Sequence, residues 1–375
     1  MFYNYNSITK SSNLSMLFNI PCDLNKKKGI NKKMKQNIVK INQTNKFTKY
    51  ILGSTVLLLC IFLSFLKTPY AASQGCLSVD YIDVVNSNAE SGDASLISYN
   101  NKYVLIDGGK SSAYIDKLKK FLVSVCNPTN GKIVLEAVIV SHNHSDHYGG
   151  IVKLLKDTNT FKVKKVIKSN VAPVTALNNA CENAESVKNI TINSGKYQMK
   201  FGNASITVYP PTKKFSTGNA SADVNNSSMI VIARGPNGNA DKHLFLGDLY
   251  YSGIQIAKSK YPEIFANVSS SPYRSCKFAH HGHRGGGGGN LSSEVVSEVE
   301  WYKKNVNASA YYLSTSRRFV HMNVKKDTLT GNDLSVRKNF EYIKKNICKD
   351  RNSTMASYEG NMGVFGNIVG LVHIS

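Results

Sequence analysis

Within six positions the chain carries His142, His144, Asp146 and His147, directly after the apolar stretch VLEAVIV at 134–140. Imidazole nitrogens and carboxylate oxygens are the donors that borderline divalent ions take. Set at near-alternate positions on a turn, and held by a rigid strand end, they can converge on an ion. Four ligand-type residues in six positions exceed ordinary charge patterning; the competing reading is a solvated polar loop. Gly149-Gly150 follows at once and would let the next helix pack close and bring its backbone to the site. Asp107 precedes Gly108-Gly109, Asp248 ends the run FLGD, and His280-His281 form an adjacent pair. Asp107 reads either as part of the site or as a plain turn residue. On a strand His280 and His281 would face opposite sides, so both reach one site only if the strand has already ended. His281 is taken as the metal ligand and His280 as a substrate-contacting group, with the reverse left open.

Such a cluster needs strand ends to hold it. LSVDYIDVV, ASLISYN and KYVLIDGG read as strands, with Asp93 and the Asn100-Asn101 pair as turns. SAYIDKLKKFLVSV has helical spacing. VLEAVIV is a buried strand leading into the histidine motif, and GIVKLLKD is the helix after it. KVKKVIK, the segment 174–185 and ITINSGKYQMKFGNASITVYP continue as strand, helix and hairpin, followed by a polar linker over 212–228. The second half repeats this grammar. MIVIARG and KHLFLGD are strands, YYSGIQIAKSK a helix and CKFAHHG a strand. A helix over about 291–305, the strand SAYYLSTS, the helix VRKNFEYIKKNI and a last strand pair in 355–375 complete it. Strands followed by strand–helix units in each half predict an α/β fold of two mixed sheets face to face with helices outside (αββα). Consecutive early strands disfavour a TIM barrel.

The string HNHSDHYGG at 142–150 resembles the HxHxDHxGG signature of the metallo-β-lactamase superfamily, and LIDGG (105–109), LGD (246–248) and AHHG (279–282) follow in family order. With Asn225-Asn226-Ser227-Ser228 ahead of the last two, the chain looks most like the branch of ComEC-type competence proteins and cell-wall phosphorylcholine esterases. The resemblance covers about 77–375 and implies a hydrolase with two divalent ions of the zinc type. It implies one ion on His142 and His144, a second on Asp146, His147 and a histidine of the 280–281 pair, and Asp248 bridging both. Asp107 would hold a ligating histidine from behind, and Asp146, Asp248 and His280 would take part in catalysis. One departure is visible: between 148 and 247 the only histidine is His243, on the strand into Asp248, so the third histidine of the β-lactamases is missing. Asn225 or Asn226 is expected near the first ion instead, with Asn226 also a substrate contact. Arg284, in the glycine-rich loop 283–290, and His321, after SAYYLSTS beside Arg317 and Arg318, are further candidate substrate contacts. For His321 a surface position is the alternative; for the arginines, a solvated turn.

Across 375 residues, 42% hydrophobic and 19% charged with net charge +23, collagen-like, coiled-coil and acidic disordered classes are excluded. Eleven lysines against Asp23 alone put +10 in residues 1–72 and leave +13 on the remainder. A basic domain favours an anionic substrate, phosphate-bearing polymers first, against the bland reading of solubility charge. Residues 1–49 read as a disordered basic leader, with a nucleic-acid-binding arm as the lesser alternative. Residues 50–66 form an uncharged apolar run of 17 inside a segment, 50–72, that is either a signal peptide or a transmembrane anchor. The lysine-rich side stays in the cytoplasm and the domain 77–375 crosses, secreted or held at the membrane through 50–66. Seven cysteines without a CxxC pair, five of them beyond residue 72, argue against a full disulfide framework or a cysteine zinc site while leaving one or two bridges open. No protein partner is evident. The expected function is an exported metal-dependent hydrolase cleaving phosphodiesters, of extracellular nucleic acid or of envelope polymers, through a metal-bound hydroxide. The alternatives are a lactone, thioester or β-lactam hydrolase of the same fold, or a metal-less binding protein on this scaffold. A reporter that works only outside the cytoplasm, fused after Ser375, is expected to be active; activity of a cytoplasm-only reporter there would contradict export.

Overall fold

The computed structural model describes residues 75–84, 92–110, 115–169, 171, 174–184, 187–211, 220–282, 289–314, 331–347, 354–356, 361–365 and 368–372. The leader and the apolar run 50–66 lie outside the described residues. Among those described, no helix is long and apolar enough to cross a membrane.

Two mixed sheets carry the strands. The first contains β1 (Ser78–Tyr81), β2 (Ser95–Tyr99), β3 (Lys102–Ile106), β4 (Ile133–Ile139), β5 (Phe161–Val163), β6 (Lys165–Lys168) and β7 (Lys188–Thr191). The second contains β8 (Tyr197–Phe201), β9 (Ala204–Tyr209), β10 (Ile230–Arg234), β11 (Lys242–Phe245), β12 (Ser275–Lys277), β13 (Ala310–Leu313) and β14 (Thr354–Ala356). The C-terminal hairpin β15 (Asn361–Phe365) and β16 (Ile368–Val372) returns to the first sheet, whose order is β16-β15-β1-β2-β3-β4-β6-β7 with β5 beside β4. The second sheet runs β14 to β8 in reverse chain order.

Strand alternation explains the layering. Val79, Val104, Ile139, Ile206, Val231, Phe245 and Tyr312 point between the sheets and form one core. Leu96, Leu105 and Val138 point outward and are covered by α1 (Ile115–Val125), α2 (Ser145–Lys156) and α3 (Thr175–Asn183). Leu244, Cys276 and Tyr311 are covered by α5 (Tyr251–Lys260), α6 (Pro262–Phe265), α7 (Ser293–Asn305) and α8 (Gly331–Asn346). Because both faces are buried, these strands read as nearly continuous apolar runs. The result is the expected αββα sandwich. Trp301 and Tyr302 of α7 are both core residues.

Several local expectations change. The first strand is only Ser78–Tyr81, and β7 joins the first sheet while the hairpin is β8–β9 alone. The segment 220–228 is no linker: α4 (Ala220–Asn226) forms there, and Asn225, Asn226, Ser227 and Ser228 are buried. Helix α2 begins inside the histidine motif, with His144 in extended backbone at its N-cap and Asp146 in its first turn, where a carboxylate complements the helix dipole. Gly149-Gly150 weakens local helix propensity but not the helix, because packing overrides it. The strand CKFAHHG stops at Lys277. Cys76, Cys126, Cys181 and Cys276 are free thiols, so none of them forms a bridge.

Parallel pairing of β3 with β4, and of β11, β12 and β13, brings the C-terminal ends of strands together on one rim of the sandwich. Asp107, His142, Asp248, His281 and Ser314 all follow such ends. Backbone bonds tie these turns to one another: Gly150 N–H donates to Gly109 O at 2.8 Å and Gly108 N–H to His147 O at 2.7 Å. The approach is so close that a Cβ on Gly150 would lie 1.8 Å from Gly108 O. Glycine to alanine within a helix ordinarily gains up to about 1 kcal/mol. Gly150→Ala should instead lose about 3 kcal/mol in denaturant unfolding, because the turn and α2 cannot separate without breaking these bonds.

Candidate metal centre

Asp248 lies at the middle of the rim. Its Oδ2 is 3.2 Å from His147 Nε2, 3.2 Å from His281 Nε2 and 3.8 Å from His142 Nε2. Asp146 Oδ2 is 3.5 Å from His281 Nε2 and 4.0 Å from His147 Nε2. Donors held about 2.0–2.1 Å from one ion in tetrahedral geometry stand about 3.3–3.5 Å apart, and the three shorter separations lie close to that spacing. Nε2 of His142 is buried without a hydrogen bond, a state that costs about 1–3 kcal/mol unless something satisfies it. A divalent cation fits these donors. The ring of His144 stands 4.9 Å from that of His142 and is partly exposed, extending the cluster toward solvent.

Each inner histidine is held from behind. Asp107, at φ 56°, turns its carboxylate under the motif. It accepts from Ser141 N–H at 2.8 Å and Ser141 O–H at 2.7 Å, and its Oδ2 is 2.9 Å from His147 Nδ1. That contact fixes the tautomer and leaves Nε2 facing Asp248. His281 is held through Nδ1 by Ser314 Oγ at 2.8 Å and by Asp93 Oδ1 at 3.3 Å, while Ser314 O–H also donates to Asp93. Asp93 is therefore no turn residue but a buried part of the centre. Asp93, His147, Asp248 and His281 bring donor atoms within 4.8 Å of one another. Asp93 nevertheless meets the Nδ1 side of both histidines, so it orients ligands and lies outside the Nε2 set.

His280 and His281 adopt left-handed backbone, φ 48° and 55°, in the 3₁₀ turn after β12. This turn separates the pair: His281 enters the cluster, while His280 stays on the rim, its Nε2 accepting from Asn225 Nδ2 at 3.1 Å and its ring 4.6 Å from that of Tyr250. Asn225 thus touches the site. Asn226 does not: it is buried, and its Oδ1 accepts from Tyr250 N–H at 3.0 Å, so it holds the start of α5 rather than reaching a substrate. His243 faces Ser275 Oγ at 2.7 Å in the interior, away from the cluster. Arg284, Arg317, Arg318 and His321 lie outside the described residues.

Electrostatics follow from burial of like charges. Burial opposes ionisation of Asp248, but His281, His147 and Lys277 hold its carboxyl well below the usual range. Burial likewise opposes a charged His147, yet Asp248, Asp107 and Asp146 hold it well above the ordinary histidine value, and Asp248 and Asp93 do the same for His281. His142 is pushed well below it, by burial and then by His147. Besides Asp93, sequence reasoning missed Ser141, Ser314 and Lys277. Only Lys277 left a signal, a cation inside the apolar run SCKFA, where an unpaired lysine would be expensive.

Residues 88–168 match the family model described as the metallo-β-lactamase superfamily. That segment holds β2 to β6 and the whole HNHSDHYGG string. The likeness to that superfamily is thus shown over residues 88–168, and the two mixed sheets flanked by helices are consistent with its fold. No curated protein matches the sequence. Similar solved structures include the metallo-β-lactamase fold protein YhfI from Bacillus subtilis, 13% identical over 75% of this chain and 95% of that one, TM-score 0.43. Human tRNase Z, short form, is 11% identical over 63% of this chain and 91% of that one, TM-score 0.38. The subclass B3 enzyme MEM-A1 from a soil metagenome library is 13% identical over 74% and 94%, TM-score 0.35.

The purified protein should contain close to two divalent ions per chain by elemental analysis. Asp248→Ala should lose both and His142→Ala mainly one; full occupancy in Asp248→Ala would remove the bridging role.

Proposed function

We propose that the protein is a metal-dependent hydrolase acting on phosphodiesters, with two divalent ions of the zinc type. The observation that carries this reading is the convergence of His142, His147 and His281 Nε2 and Asp146 Oδ2 around Asp248 Oδ2. His142 and His144 would hold one ion, Asp146, His147 and His281 the other, and Asp248 both. Bound there, such ions lower the pKa of water and polarise the bond to be cleaved.

The chain's own residues do the rest. Asp107 and Asp93 keep His147 and His281 turned, so that no reorganisation is needed at the moment of reaction. Asp146, with 28% of its side chain exposed against 3% for Asp248, faces the opening, so the ion it helps to hold would be the one that meets incoming substrate. His280, held by Asn225, stands on the rim where a substrate oxygen would lie. The +13 charge outside the leader favours a polyanion, nucleic acid or an envelope polymer, as in the ComEC-type and phosphorylcholine esterase branch that the motifs resemble. The commitment of His243 to Ser275, with no other histidine between 148 and 247, speaks against β-lactams. We further propose that the domain 77–375 works outside the cytoplasm, on the strength of the apolar run 50–66.

Metal-replete protein should hydrolyse bis-p-nitrophenyl phosphate or single-stranded DNA. For a polyanion, kcat/KM should fall as salt rises, since exposed charges are screened within about 8–10 Å near physiological ionic strength. Asp146→Ala should abolish turnover. Nitrocefin or lactone hydrolysis without phosphodiester cleavage would overturn the substrate class and leave the metal reading standing. A protein without metal would favour the binding-protein alternative.

A further inference from the structure

Lys277 is the last residue of β12 and is buried behind the cluster. Its Nζ pairs with Asp93 Oδ2 and lies 3.5 Å from Asp248 Oδ1 and 3.5 Å from Gly247 O. Asp248 thus has two faces, with Oδ2 turned to the three Nε2 atoms and Oδ1 to the ammonium. Asp93 is shared in the same way, with Oδ1 toward His281 Nδ1 and Oδ2 toward Lys277. A desolvated ammonium is tolerated only when carboxylates answer it. Here Asp93 and Asp248 both face the ammonium. The ammonium reaches the centre from the Oδ1 side of Asp248, opposite the Nε2 donors. Nothing in the hydrolytic reading uses it.

We propose that Lys277 is a built-in counter-cation of the metal centre, which keeps Asp93 and Asp248 in place before a divalent ion binds and weakens the grip on that ion afterwards. The proposal rests on the metal-centre reading above and adds a regulator of its affinity. Two effects follow from one charge. Among buried carboxylates that must otherwise repel one another, the ammonium stabilises the protein without metal. Once a divalent ion shares Asp248, ammonium and ion are like charges on one carboxylate, and each lowers the other's attraction. A lysine that served packing alone would stabilise both states equally and would not lower affinity.

The test is Lys277→Met in the full chain, with Lys277→Arg as the charge-preserving control. Co²⁺ is the probe, with affinity read from its visible absorption and melting temperature measured with and without the ion. The expected result for Lys277→Met is a lower melting temperature without metal, recovered in large part with Co²⁺, and a Kd for Co²⁺ at least tenfold tighter. Lys277→Arg should stay within about threefold of the parent Kd, its charge being retained. An unchanged or weaker Kd in Lys277→Met, or an equal loss of melting temperature in both states, would overturn the proposal. Should Lys277→Met fold only when refolded with Co²⁺, that dependence supports it, and failure to fold even then overturns it. Parent protein that binds no Co²⁺ would sink the metal-centre reading itself, a failure seen before any variant is made.

Discussion

Carboxylates brought within a few ångströms of one another and shielded from water repel strongly, and the cost grows as the local dielectric falls. Asp93, Asp107 and Asp248 are buried and Asp146 is half-buried, all on one rim of the sandwich. Such an arrangement persists only if positive charge is interleaved, and the fold supplies it from several directions. His147 stands between Asp107 and Asp248, His281 between Asp93 and Asp248, and Lys277 between Asp93 and Asp248 from behind. The same alternation leaves a cluster of nitrogen and oxygen atoms aimed at a common volume. Stability of this rim and its affinity for cations are two expressions of one charge pattern.

That pattern also dictates how the two halves of the chain meet. Asp107, Ser141, His142 and His147 come from the first sheet and its loops, whereas Asp248, Lys277, His281 and Ser314 come from the second. Asp93, on the loop before β2, reaches across to Lys277, His281 and Ser314. Met229 N–H donates to Ser141 O at 2.8 Å, so the motif loop is also fastened to the strand opening the second half of the site. Further inside, Tyr81 of β1 meets Ser275 of β12 at 2.7 Å, and Ser275 meets His243 at 2.7 Å. The sheets are thus joined by polar contacts at the rim and within the core, as well as by apolar packing.

The layer architecture was legible because it rests on local rules. Alternating or continuous apolar runs, helical spacing and the order of elements follow from side-chain direction, which the sequence carries residue by residue. The histidine motif and Asp248 were legible as donor types at strand ends. Asp93 was not, because an aspartate after a glycine looks the same in a turn as behind a histidine; only the pairing of distant segments distinguishes them. Asn225 and Asn226 show the same limit. Side by side on α4, they point one toward His280 and the other toward Tyr250, and no spacing rule separates their fates. The start of α2 was missed because two glycines lower local propensity, while the reason for Gly150, contact with the Gly108-Gly109 turn, is tertiary.

The pairing of β1 with β15, Ser78 opposite Phe365 and Tyr81 opposite Met362, joins the first described strand to the last described hairpin. During synthesis, β1 is made early, yet one of its two neighbours is β15, made after every described strand of the second sheet. Until that strand emerges, β1 presents unpaired N–H and C=O groups along an open edge, the kind of surface on which other chains template. The closing contact is also among the most distant in the sequence, so its loop-closure entropy is met last. Completion of the first sheet therefore waits on residues 361–365: a chain cut before residue 361 retains every residue of the metal cluster but not the strand that pairs with β1, and carries a sticky edge in its place.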